Sequence, residues 1–129
     1  MEFWPLIRHI LASAFIPKIK LTLMNKVILM GYVGRDPEIR YIETRPLASF
    51  SLATTERARR NAAGVEIPER TEWHNIVMYD AQAEFAEKYI RKGTRLLIEG
   101  KLRTRIWEDR AAIKHYVTEI YVDTFELLK

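Results

Sequence analysis

In the segment Arg95-Leu96-Leu97-Ile98-Glu99-Gly100-Lys101-Leu102-Arg103-Thr104-Arg105-Ile106-Trp107, residue character sorts by parity. Successive side chains of an extended strand point to opposite faces. The segment is therefore expected to be a strand with Leu96, Ile98, Leu102 and Ile106 on an apolar back, and Gly100 and Thr104 among them. Lys101, Arg103, Arg105 and Trp107 share the front. A solvated sheet face accounts for the cations but not for the indole, whose exposure brings no folding benefit. Cations and a flat ring on one face are what single-stranded nucleic acid requires: charge for phosphates and a surface on which a base can stack.

A second segment, Thr71-Glu72-Trp73-His74-Asn75-Ile76-Val77-Met78-Tyr79, places Trp73, Asn75, Val77 and Tyr79 on one face. Trp73 and Tyr79 are then roughly 20 Å apart at about 3.3 Å per residue, room for more than one stacked base. Half-buried sheet packing is the plain alternative for these two rings. Beside the cationic strand, a stacking platform is the better account.

Composition excludes several classes of chemistry. The 129 residues fit one domain able to bury a modest core. There is no cysteine, hence no disulfide, thiolate zinc site or cysteine nucleophile. The formal charge of +4 permits a polyanionic partner without demanding one. His9, His74 and His115 are scattered without metal-site spacing, so no metal or cofactor is expected. Gly31 and Gly34 lack the rest of a dinucleotide or Walker motif and read as strand and turn residues. Glu72 and Glu99 mark no catalytic pair. No enzyme is expected.

Met1 to Leu23 differs from the rest: apolar, interrupted by Pro5 and Pro17, with Arg8, Lys18 and Lys20 against the single acid Glu2. Its longest uncharged run, His9 to Pro17, is too short to span a bilayer. A signal peptide would place positive charges at its start, yet Met1 to Ile7 has no basic side chain and carries an acid. Residues 1–23 are expected to be a mobile extension or misassigned start, with at most a short helix around Leu6 to Phe15. The domain is expected over residues 24–129, with no membrane partner.

From Met24 onward the periodicity predicts strands over Asn25 to Val33, Leu47 to Thr55, Thr71 to Tyr79, Thr94 to Trp107 and Ile113 to Phe125. A turn at Gly34 to Pro37 leads to a short extended stretch, Glu38 to Ile42, and a long polar connection spans Glu56 to Arg70. Asp80 suits an N-cap for a helix over Ala81 to Lys92, with Phe85, Ala86, Tyr89 and Ile90 on its packing face and Gly93 as its stop. An all-β chain with one short helix between its third and fourth strands has the order of a five-stranded OB-fold, a Greek-key barrel. Such barrels bind varied ligands, so site chemistry has to decide function.

Several blocks resemble the bacterial single-stranded DNA-binding protein family. The first is Asn25-Lys26-Val27-Ile28-Leu29-Met30-Gly31-Tyr32-Val33-Gly34-Arg35-Asp36-Pro37-Glu38-Ile39-Arg40-Tyr41. The others are Phe50 to Thr54, Thr71 to Asn75, Tyr89 to Gly93 and Ile98 to Trp107, in the family's order and spacing over Met24 to Val122. The resemblance implies a cytoplasmic, nucleoid-associated homotetramer of OB-folds. It would wrap single-stranded DNA without catalysis in replication, recombination and repair. The family's stacking positions match Trp73, Tyr79 and Trp107, its phosphate-contacting positions match Lys92, Arg103 and Arg105, and His74 matches a subunit-interface residue. Lys26 and Arg35 in the opening block, Lys101 on the cationic face, and Arg57, Arg59 and Arg60 complete the expected phosphate contacts. At one departure, Ala58 stands where the family often has another stacking aromatic, and the neighbouring arginines are the expected compensation. At another, the chain ends at Glu126-Leu127-Leu128-Lys129 without the family's usual linker and acidic tip, so docking of replication and repair enzymes there is not expected. The alternatives are an RNA-binding OB module and a primosomal-type OB assembly protein. Matched DNA and RNA oligomers separate the first, and Trp73 with Trp107 argues against the second.

Overall fold

Alternation of apolar and polar residues drives the chain into strands that each bury one face. In the strand Arg45–Glu56, Pro46, Ala48, Phe50 and Leu52 point inward while Leu47, Ser49 and Ser51 lie between them on the outer side. The structure is a computed structural model that describes residues 23–129. The extension expected at the N-terminus thus lies, but for Leu23, outside the described residues.

The elements are β1 (Val27–Val33), β2 (Glu38–Ile42), β3 (Arg45–Glu56), β4 (Arg59–Arg60), β5 (Glu66–Ile67), β6 (Arg70–Tyr79), α1 (Ala81–Tyr89), β7 (Arg95–Glu108) and β8 (Lys114–Leu128). One sheet runs β1-β7-β8-β6-β3-β2, and pairing of β1 with β3 closes it on itself. The closed part is the five-strand barrel of an OB-fold, with β2 hairpinned onto β3 outside it. Two seams close the barrel. Tyr32 and Val33 pair with Ala53 and Leu52, and Asn75 to Val77 pair in parallel with Glu119 to Tyr121. Leu52, Ile76, Met78, Ile90, Leu96 and Ile98 fill the interior. Full burial of such a side chain stabilises by about 1.5–3 kcal/mol.

Several expectations need correction. The apolar back of β7 holds only as far as Gly100, where the register with β8 shifts by a bulge. A Cβ at Gly100 would collide with the Tyr121 carbonyl, so this close crossing requires glycine. Beyond it Leu102 and Ile106 are 46% and 55% exposed. The physical reason is that β6 leaves β8 at Asn75, so the outer halves of β7 and β8 form a two-stranded arm without a third strand.

Asp80 occupies the N-cap position as expected, its carbonyl accepting the Glu84 amide at 3.0 Å, but its side chain does not cap the helix. Its φ is 55°, its side chain makes no cap hydrogen bond, and its carboxylate accepts Arg45 Nε at 3.0 Å and Nη2 at 2.8 Å. The helix ends at Tyr89, earlier than Lys92, and Gly93 falls in the following turn. Ala83 and Ala86 pack the helix against the barrel, Ile90 is buried just past its end, and Tyr89 is exposed. The polar connection contains an unanticipated ribbon, β4 paired with β5, whose turn is tied by Asn61 Oδ1 accepting the Ala63 and Val65 amides. The last strand continues to Leu128 rather than ending at Phe125.

Candidate nucleic-acid interface

Strand pairing brings the two faces read from the sequence together. Through the β6–β8 seam Asn75 lies beside Glu119 and Val77 beside Tyr121. Across β7–β8, Glu119 opposes Arg103 and Tyr121 opposes Lys101. The odd-numbered side chains of β6 and β7, with those of β8 as far as Tyr121, thus form one outer face, continued by Ser49, Leu47 and Ile42. A groove on that face is lined by Ile42, Leu47, Val77, Tyr79, Arg105 and Tyr121, among others.

The aromatic rings differ in their surroundings. Trp73 is 61% exposed, and its indole lies over Gly34, where a Cβ would strike the ring. Tyr79 is partly buried, its ring 5.7 Å from Tyr121 and tilted by 43°. The Arg45 guanidinium lies 5.5 Å from the centre of the Tyr79 ring, and that of Arg103 lies 5.2 Å from the centre of Tyr121. Burial, then the neighbouring Tyr79 hydroxyl, pushes the Tyr121 phenol up, so it stays neutral in the groove. Trp107, 43% exposed, stands on the arm with its ring stacked on His115.

The cations divide into engaged and open groups. Arg105, expected as a phosphate contact, is an internal ion-pair partner. Its Nε is 3.1 Å from Glu119 Oε1 and its Nη2 is 3.4 Å from Oε2. Glu119 is only 8% exposed, so this pairing offsets the cost of burying a carboxylate. Lys26 pairs with Glu99 at 3.3 Å, Lys101 with Asp123 at 3.7 Å and Arg60 with Glu66 at 3.3 Å, all partly exposed and readily exchanged for phosphate. Arg35, Arg57, Arg59, Lys92 and Arg103 are exposed and stand outside the ion pairs of the described residues. Asp36 Oδ1 accepts the Lys92 amide at 2.8 Å, which joins the turn carrying Lys92 to the one carrying Arg35.

His74 faces the other side of β6 and is partly buried, with Nε2 2.8 Å from Thr54 Oγ1. Ala58, in the exposed connection, borders the β4–β5 ribbon. Sequence reading missed three members of the face: Arg45, Tyr121 and His115. Tyr121 would have emerged from the parallel register of β8 on β6, and His115 from the exact partner of Trp107 across the hairpin, neither of which periodicity supplies. Among the described residues no cluster of metal-ligating side chains occurs, and no helix is long and apolar enough to cross a membrane.

A closed five-strand barrel in this strand order is an OB-fold domain, and aromatic and cationic side chains on one outer face are the chemistry that oligonucleotide binding uses. The profile of the Single-strand binding protein family matches residues 24–128, and the chain belongs to that family, whose members are non-catalytic DNA-binding proteins. It is 51% identical over 106 residues to a single-stranded DNA-binding protein of Bacteroides thetaiotaomicron, across 81% of this chain and 66% of that relative. The chain therefore spans just under two thirds of that relative's length. It is also similar to the Plasmodium falciparum SSB solved in complex with ssDNA, at a TM-score of 0.74 and 32% identity, covering 86% of this chain and all of the other.

Proposed function

We propose that this chain binds and covers single-stranded DNA with little sequence preference, as a non-catalytic factor in replication, recombination and repair, acting at the nucleoid. The observation that carries the reading is the exposure of Trp73 and Trp107, two indoles left in solvent, the second on the same strand face as the open cation Arg103. Bases stack on the rings, and Tyr79 with Tyr121 forms an aromatic floor farther along the same face. Arg35, Arg57, Arg59, Lys92 and Arg103 meet phosphates. Lys26, Lys101 and Arg60 exchange a surface carboxylate for one, and Arg105 serves mainly to hold Glu119. Titration with matched single-stranded DNA, duplex DNA and RNA tests this. Tight, salt-sensitive binding of the DNA single strand, with duplex much weaker, is expected. Equal affinity for duplex at physiological salt would overturn it, and preference for RNA would favour the RNA-binding alternative.

The same reading includes a homotetramer. Ile28, Met30 and Tyr32 form an exposed row on β1, and Met30 lies beside Leu97 of β7. Val27 to Gly31 have no β3 partner among the described residues, which leaves an open edge next to an apolar face. Both features favour association with further copies. His74 is assigned to the subunit interface on the family resemblance. Sedimentation at micromolar concentration is expected to show four copies, and a monomer would remove the assembly from the proposal.

A further inference from the structure

Trp107 and His115 are directly opposed on β7 and β8. Their rings lie nearly parallel, with centroids 4.3 Å apart and planes 18° apart. Both stand on the arm past the Gly100 bulge, where no third strand packs to restrain an exposed indole. The imidazole itself is held. His115 Nε2 is 2.9 Å from Asp109 Oδ2, while Asp109 Oδ1 accepts the amides of Ala111 at 2.9 Å and Ile113 at 3.0 Å. Asp109 also donates its own amide to the Ile113 carbonyl at 3.0 Å. Turn, carboxylate, imidazole and indole form one continuous chain of contacts.

We infer that His115, held by Asp109, is a positioning residue for Trp107: it covers one face of the indole and fixes the ring so that the opposite face is presented to a base. The inference rests on the reading of Trp107 as a stacking residue. A platform that must be immobilised on binding loses affinity to the lost side-chain freedom, and one already held does not. The hydrogen bond to Asp109 uses Nε2, so the contact of His115 with the indole is through its ring face rather than a polar atom. What the indole needs from this position is a flat ring, which another aromatic would supply, and its restraint, which the hydrogen bond to Asp109 supplies.

The test uses the full chain and a fluorophore-labelled oligothymidylate read by anisotropy, with circular dichroism to verify folding of each variant. His115→Ala is expected to weaken binding about two- to tenfold, no more than Trp107→Ala does, with an unchanged salt slope. His115→Phe, which keeps the ring face but loses the hydrogen bond to Asp109, should recover part of that loss. In a Trp107→Ala background His115→Ala should have no further effect, since its contribution passes through the indole. The inference falls if Trp107→Ala weakens binding while His115→Ala does not. It falls equally if His115→Ala costs as much in the absence of Trp107, which would mark a direct DNA contact. If Trp107→Ala itself is without effect, the stacking role of Trp107 fails and takes the inference with it.

Discussion

Trp73 lies where it does because residue 34 has no side chain. The indole rests over Gly34, so a methyl group there would displace the ring without touching DNA. Gly34→Ala is expected to reproduce part of the loss of Trp73→Ala, itself on the order of 1–3 kcal/mol of binding with little change in salt slope. Oligonucleotide titration of both variants checks this, and unaltered binding by a folded Gly34→Ala would contradict it. Arg103 and Arg105, two residues apart on one strand, have different surroundings, the first open and the second paired with Glu119. Arg103→Ala should lower the salt slope by roughly one contact. Arg105→Ala should instead leave Glu119 buried and unpaired, costing about 1–2 kcal/mol of fold stability after allowance for the half-exposed guanidinium, seen as a lower denaturation midpoint. An Arg105→Ala variant of native stability would show that the pair is not structural. Parity revealed that both arginines share a face with Trp107. It could not reveal which one meets Glu119, since the residue directly across from Glu119 is Arg103 and the ion pair is diagonal.

At the level of elements, periodicity located every barrel strand and the helix, and it failed where a face has no neighbour. Leu102 and Ile106 continue the parity of Leu96 and Ile98, but their side of the strand is covered only while another strand lies alongside. Asp80 stands at the N-cap, but its side chain is drawn elsewhere by a tertiary neighbour. Its sequence position suits a cap, but the Arg45 guanidinium, brought near by β3, claims the carboxylate and holds its pKa below the usual range. Gly100→Ala forces a Cβ against backbone at the bulge and should destabilise the fold by about 1–3 kcal/mol, measurable by chemical denaturation. The tip of the arm should respond to acid. The hydrogen bond with His115, followed by that from the Ile113 amide, holds the Asp109 carboxyl below the ordinary carboxylate range. A depressed folded-state pKa contributes stability that is present above the unfolded value and lost as pH falls through the folded one. Protection of the Ala111 and Ile113 amides, corrected for intrinsic exchange rates, is therefore expected to fall in acid. Protection that persists throughout would contradict the linkage.

Across the molecule, a net charge of +4 is too small to steer DNA by itself, so the proposed binding rests on where the open cations stand rather than on their total. The proposed assembly follows the same logic of placement. Met30→Glu puts a carboxylate into the exposed β1 row and should shift sedimentation toward smaller species while leaving the barrel folded. An unchanged tetramer would locate the contact elsewhere.

The two seams of the barrel have a consequence for its internal motion. One is held by a two-residue antiparallel ladder and the other by three residues in parallel, so both are short compared with the β3–β6 and β7–β8 ladders. Short ladders open at lower free energy than long ones, and native-state exchange should find the seam amides of β6 and β8 among the first in the barrel to release. Val77 and Tyr121 straddle the parallel seam on the outer face. An oligonucleotide laid across them would act as a clasp, binding the closed seam but not the open one. Its affinity would then appear twice, once as occupancy and once as slowed breathing of the barrel along that line.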